Sequence, residues 1–156
     1  MFKFLISMLI IYLFLTYLLI NYTHINLNSN SYNYYVLAVQ KWCTPQYNIH
    51  GLWPQIDSTH YPSDCSSLKY NSPTGRLLSN MTTYWHSCSD NDSFWKHEWE
   101  KHGSCFNLQT GMSQEQYFNI ALQLYKNNYA LLKNCVKKNC IIGCFDLNFN
   151  LMTCPI

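Results

Sequence analysis

Two histidines, two glutamates and two lysines fall within ten residues, Lys96 to Cys105, of a chain in which only 12% of residues are charged. In an α-helix Glu98 and His102 stand four apart and share a face, as do His97 and Lys101. Imidazole, carboxylate and ammonium groups brought together this way can move protons near neutral pH and stabilise a developing negative charge. The spacing argues against a zinc helix, whose two histidines stand four apart. His97 and His102 are five apart, roughly 140° around an α-helix, and would point away from a shared ion, so no metal is expected here.

A second candidate is Ile49-His50-Gly51-Leu52-Trp53-Pro54. Taken alone, His50 reads as a structural histidine at a strand end, with Gly51 and Pro54 building a turn. Glu98 and Lys101, also taken alone, read as solvated helix charges, and Glu100 as a surface residue. Trp95 and Trp99 are placed in the core. Trp53 is either a core side chain or a platform on which a nucleobase stacks, since an aromatic face accepts every base.

These residues need elements to position them. Tyr34 to Val39, aromatic and β-branched, reads as a buried strand, and Tyr47 to His50 as a second, short one. Gln55 to Thr74, with Pro62 and Pro73, reads as loop. Gly75 to Tyr84 predicts a helix whose apolar side holds Leu77, Leu78 and Met81. Asp92-Ser93 suits a cap for a helix from about Phe94 to a stop at Gly103. Ser113 with Gln116 makes a capping box that opens an amphipathic helix bearing Tyr117, Ile120, Ala121, Leu124 and Tyr125. Phe145, Leu147, Phe149 and Leu151 alternate, predicting a strand or hairpin between Cys140 and Cys154.

With 156 residues the chain has room for one domain. Met1 to Thr23, a lysine followed by a long apolar run, reads as a secretory signal peptide or an uncleaved signal anchor. Residues 24–33 read as a linker and 34–156 as the folded domain. All eight cysteines follow the leader; an even number in a short exported chain indicates disulfides, whose pairing the sequence leaves open. The expected location is secreted or within an extracytoplasmic or endolysosomal lumen, with membrane anchoring through the leader as the alternative. Asn21, Asn80 and Asn91 lie in glycosylation motifs. A formal charge of +2 does not mark a nucleic-acid binder, so a polyanion would be held by a local site.

The two candidate segments together resemble the ribonuclease T2 family. His50 to Pro54 is identical to its His-Gly-Leu-Trp-Pro motif. Phe94 to Cys105 matches Phe-Trp-x-His-Glu-Trp-x-Lys-His-Gly-Thr/Ser-Cys. Tyr35 to Trp42 is similar to the family's first strand, Gln116 to Leu132 to its later helix, and Cys144 to Pro155 to its terminal cysteine loop. The resemblance implies an α+β fold, an antiparallel β-sheet packed with helices and stabilised by disulfides, with Cys65 paired to Cys105 and Cys144 to Cys154. It leaves Cys43, Cys88, Cys135 and Cys140 unassigned. It also implies endonucleolytic cleavage of single-stranded RNA through a 2′,3′-cyclic phosphate by a monomer without metal or cofactor.

In that scheme His102 is the base and His50 the acid. Lys101 stabilises the transition state, Glu98 either orients the His102 imidazole or hydrogen-bonds the transition state, and His97 holds phosphate. Trp53, Gln40 and Gln55 contact bases, and DNA is excluded because it lacks the nucleophile. The chain departs from the family in a short loop between Trp42 and Ile49 and in a shortened C-terminal part. That departure motivates a rival reading, a catalytically weak relative that binds RNA or a protein partner. A disulfide-rich structural protein is a third.

Overall fold

The first strand, β1 (Tyr34–Gln40), is buried along all seven residues. This explains its continuous apolar run, because a strand covered on both faces has no solvent side to alternate toward. Tyr35, Leu37 and Val39 enter the main core, while Tyr34 and Val36 pack with Cys144 on the other face. β1 is central in a four-stranded antiparallel sheet of order β2-β1-β3-β4, formed with β2 (Asn48–Gln55), β3 (Asn139–Phe145) and β4 (Leu151–Met152). The computed structural model describes residues 8, 10–19 and 31–155. The expected leader and linker lie largely outside these, as does Asn21. Residues 10–19 are helical, and among the described residues no helix is long and apolar enough to cross a membrane. The second compact unit runs from Tyr32 to Ile156. Tyr32 belongs to its core, 1% exposed, although the sequence reading put it in the linker.

Helix α1 (Gly75–Tyr84) forms where expected, but only Met81 is fully buried and Leu78 faces solvent. Helix α2 (Asn91–Glu98) is capped by Asp90, whose carboxylate accepts from the Asp92 and Ser93 amides, so the cap stands two residues before the expected one at Asp92-Ser93. Gly103 does not stop this helix. The chain continues through a π-helical turn, Trp99–Gly103, into α3 (Ser104–Thr110). The stop is Gly111, in the left-handed region at φ 71°, a conformation glycine adopts without steric cost. Both capping-box bonds form between Ser113 and Gln116 at the start of α4 (Gln114–Asn127), which packs Tyr117, Phe118, Ala121, Leu122, Leu124 and Tyr125 into the core beneath the sheet. Trp85, Trp95 and Trp99 are likewise core residues.

All eight cysteines are paired. Cys65–Cys105 and Cys144–Cys154 form as the resemblance implied, and Cys43–Cys88 and Cys135–Cys140 account for the rest. Cys43 thus finds its partner 45 residues away. The terminal alternation is broken by a turn in which Asp146 accepts from the Asn148 and Asn150 amides, so Leu147 is exposed and the segment forms a hairpin.

Candidate active site

The short strand expected at Tyr47 to His50 is instead an eight-residue edge strand containing the whole His50-Gly51-Leu52-Trp53-Pro54 segment. An edge position tolerates Pro54, which has no amide hydrogen to give a ladder. The pairing register slips within it: Ala38 faces Gly51 and Val39 faces Ile49, leaving His50 unpaired as the extra residue of a β-bulge. A bulge of this kind re-aims one side chain without disturbing the strand on either side. Ile49 and Leu52, three apart, are both fully buried in the main core, whereas a regular strand with its two-residue period would put them on opposite faces. The His50 carbonyl accepts a 2.8 Å bond from the Trp85 indole, and the Trp95 indole in turn donates to the Trp85 carbonyl.

The other segment is bent by its π turn. The divergence of His97 and His102 assumed α-helical geometry throughout, but the wider i→i+5 turn over Trp99–Gly103 rewinds the chain between them. Both histidines consequently line one cleft. A Cβ at Gly103 would overlap the Trp99 ring, so glycine here permits close packing rather than chain reversal. The loop after β2 closes the cleft from outside. It is bound to the π turn by the Asp64 amide on the Lys101 carbonyl (2.9 Å), the Cys65 amide on Ser104 Oγ (3.0 Å) and the Cys65–Cys105 disulfide.

His50, Trp53, Gln55, His97, Glu98, Lys101 and His102 together line this cleft of about 400 Å³. The indole of Trp53 stands between the two imidazoles, its ring 5.0 Å from His50 and 5.3 Å from His102, and donates a 2.9 Å bond to Glu98 Oε2. Glu98 is 1% exposed and so is not a solvated helix charge. Burial pushes its carboxyl up to about 8, although the Trp53 bond and Lys101 act the other way. His102 is depressed to about 3, first by burial and then by the positive charge of Lys101, His97 and His50. Its Nδ1 is buried without a hydrogen-bond partner among the described residues. His50 is also lowered, by burial and then by His97 and Lys101. His50 Nε2 lies 3.8 Å from Glu98 Oε1, too long for a hydrogen bond. Since burial drives both groups toward neutrality, that approach is not a formed ion pair.

Gln40 is the one candidate placed elsewhere. It is buried in a neighbouring groove with Trp42, Asp90 and Phe94, and His50 forms part of both walls. Sequence reasoning missed Ser58, Thr59 and Tyr61, which line the outer wall of the cleft, with the Tyr61 ring 6.0 Å from both the His102 ring and Lys101 Nζ. Their loop carried no motif. Its one signal was Asp57, whose carboxylate accepts from the Thr59 and His60 amides and so organises the turn. Glu100 is exposed, as expected, opposite Lys96.

The family model described as the ribonuclease T2 family matches residues 23–144. The chain belongs to the ribonuclease T2 family. It is 39% identical over 84 residues to "Ribonuclease 1" of Arabidopsis thaliana, covering 50% of this chain and 36% of that one. To "Ribonuclease T2" of Homo sapiens it is 38% identical over 105 residues, covering 60% and 39%. The chain therefore spans less than half the length of these two ribonuclease T2 relatives. Among solved structures, the self-incompatibility associated SF11-RNase of Nicotiana alata superimposes with a TM-score of 0.54 at 26% identity, covering 66% of this chain and 61% of that one. The α+β architecture with its antiparallel sheet is thus that of the family.

Proposed function

We propose that the chain is an endoribonuclease that cleaves single-stranded RNA by transesterification. The observation that carries this reading is the convergence of His50, His97, Glu98, Lys101 and His102, from two distant segments, on one cleft. His102, held neutral by its surroundings, takes the proton of the 2′-hydroxyl, which then attacks the adjacent phosphorus. His50 gives a proton to the departing 5′-oxygen, leaving a 2′,3′-cyclic phosphate that water later opens. His50 needs its proton for that step. The phosphodiester, an anion entering among three cationic or protonatable groups, offsets the repulsion that lowers the imidazole. Lys101 and His97 hold the phosphoryl oxygens. Glu98, kept neutral by burial, is able to donate a hydrogen bond to them. Trp53 fixes Glu98 and separates the imidazoles, while Gln55 and Gln40 contact bases on the two sides of His50.

The test is digestion of a defined RNA in EDTA with mapping of the product ends. Cyclic-phosphate ends are expected, with a loss of about 10²–10⁴-fold in His50→Ala and in His102→Ala. A folded sample that leaves RNA intact refutes the enzyme reading. It would then favour the second reading, an RNA- or protein-binding relative of weak turnover. Export fits either reading, because four disulfides persist in oxidising compartments. The proposal extends to a cleaved or anchoring leader, a monomeric state, and glycosylation at Asn21, Asn80 or Asn91.

A further inference from the structure

Between Glu115 and Asp146 the chain carries four lysines and no acidic residue. Three of these, Lys133, Lys137 and Lys138, are exposed on or beside the small loop closed by Cys135–Cys140, together with Val136, which is 90% exposed. The loop is fixed by its backbone: the Lys41 amide donates to the Lys138 carbonyl and the Tyr47 hydroxyl to the Lys137 carbonyl, both at 2.7 Å. The lysine side chains take no part in these bonds. The same contacts bring exposed Lys41 to the loop, next in sequence to Trp42, whose ring lies 6.4 Å from that of His50. None of Lys41, Lys133, Lys137 and Lys138 has an ion-pair partner among the described residues. Asp90, on the wall of the groove beside Trp42, is committed to capping α2.

Sheet geometry sets the distance to the cleft. Asn48, Gln40 and Asn139 lie in register across β2, β1 and β3. Two strand spacings plus two residues along β2 separate His50 from the loop by roughly 12 Å of backbone.

We propose that the disulfide-closed basic loop, with Lys41, is an exosite for the phosphate backbone of an RNA strand whose scissile linkage lies in the cleft. This rests on the ribonuclease reading and adds a substrate preference, for strands longer than a dinucleotide. A formal charge of +2 spread evenly would hold a polyanion weakly, but the same lysines concentrated beside the cleft form a local site. The ligand chemistry is a row of phosphodiesters, and the recognition is independent of base sequence.

The experiment measures binding of a labelled 2′-deoxy oligonucleotide, which cannot be cleaved, as a function of salt, alongside turnover of a dinucleoside monophosphate and of a long RNA. Lys137→Ala/Lys138→Ala keeps the backbone bonds that hold the loop. In this variant the slope of log K against log salt should fall by about 1.4, near 0.7 for each lost contact to a single strand, and KM for long RNA should rise about tenfold at low salt. Dinucleotide turnover should not follow, and Lys137→Arg/Lys138→Arg should restore the slope. An unchanged slope overturns the exosite, as does a larger loss of binding to anionic phosphatidylserine vesicles than to the oligonucleotide. If the native chain binds the oligonucleotide with the expected slope yet cleaves neither substrate, the ribonuclease reading fails while the polyanion site stands.

Discussion

His50 and His102 both sit on breaks in regular structure, and the breaks are held in different ways. His50 is the unpaired residue of a β-bulge on an edge strand. Its backbone is gripped by one indole hydrogen bond from Trp85, and the residue after it must be glycine because a Cβ at Gly51 would overlap Glu98 Oε2 and the Trp53 indole nitrogen. His102 rides a π turn between two helices, covered by the loop that Cys65–Cys105 ties down and packed around Trp99. The bulge is therefore a device of orientation. The π turn is a device of packing, integral to the core. Damage to the first should appear in turnover before stability, and damage to the second in stability before turnover.

The two glycines give the sharpest comparison. Gly51→Ala should lower kcat about 100-fold by displacing Glu98 and Trp53, since roughly 1 Å of misplacement has that effect, with thermal stability nearly kept. Gly103→Ala overpacks Trp99 and should cost about 1–3 kcal/mol of stability, with activity lost only in proportion to unfolding. Paired kcat and thermal-melt measurements decide this. Equal effects of both substitutions on both quantities would erase the distinction.

A smaller effect is expected at Trp85→Phe, which keeps most of the ring and removes the donor to the His50 carbonyl. Loss of this part-buried hydrogen bond costs about 0.5–1.5 kcal/mol, and a loosened bulge should reduce kcat roughly tenfold while leaving KM in place. Because His50 is the acid in the proposed reaction, a substrate with a better leaving group should recover most of this loss. A uniform loss across leaving groups would mean that Trp85 only supports the core.

Regular elements were legible from sequence and irregular ones were not. The strand at Tyr34 to Val39, the helix from Gly75 to Tyr84 and the capping box at Ser113 follow from periodicity and end chemistry, which local residue types report directly. The bulge at His50 and the π turn at Trp99–Gly103 do not, because period counting presumes an unbroken repeat. That presumption made His97 and His102 diverge, ended the helix at Gly103 and shortened β2. Burial of Glu98 was hidden for a related reason. A glutamate four residues from a histidine looks the same on a solvated face as beneath Trp53, and only the edge strand crossing above it makes the difference. Tyr61 reached the cleft through a loop for which the sequence offered the Cys65–Cys105 tie, but which of its side chains face the cleft depends on the backbone course between β2 and that disulfide, which carries no residue signature.

The pH dependence of stability separates the two titrating groups on the helix and its π turn, Glu98 and His102. Glu98 has its carboxyl raised in the folded state from 4.5 to about 8, so between those values the native chain binds the proton more tightly than the unfolded one, and stability falls as pH rises. His102 is depressed from 6.5 to about 3, so in that window the unfolded chain binds more protons, and stability falls as pH drops. The two windows overlap from 4.5 to 6.5, where their slopes oppose and a stability maximum should lie. His50, lowered as well, adds to the acid-side loss. Glu98→Gln should flatten the decline on the alkaline side of the maximum and leave the acid side in place. His102→Gln should do the reverse. Melts across pH 3 to 8 that showed the same flattening in both variants would mean that Glu98 and His102 titrate as one unit.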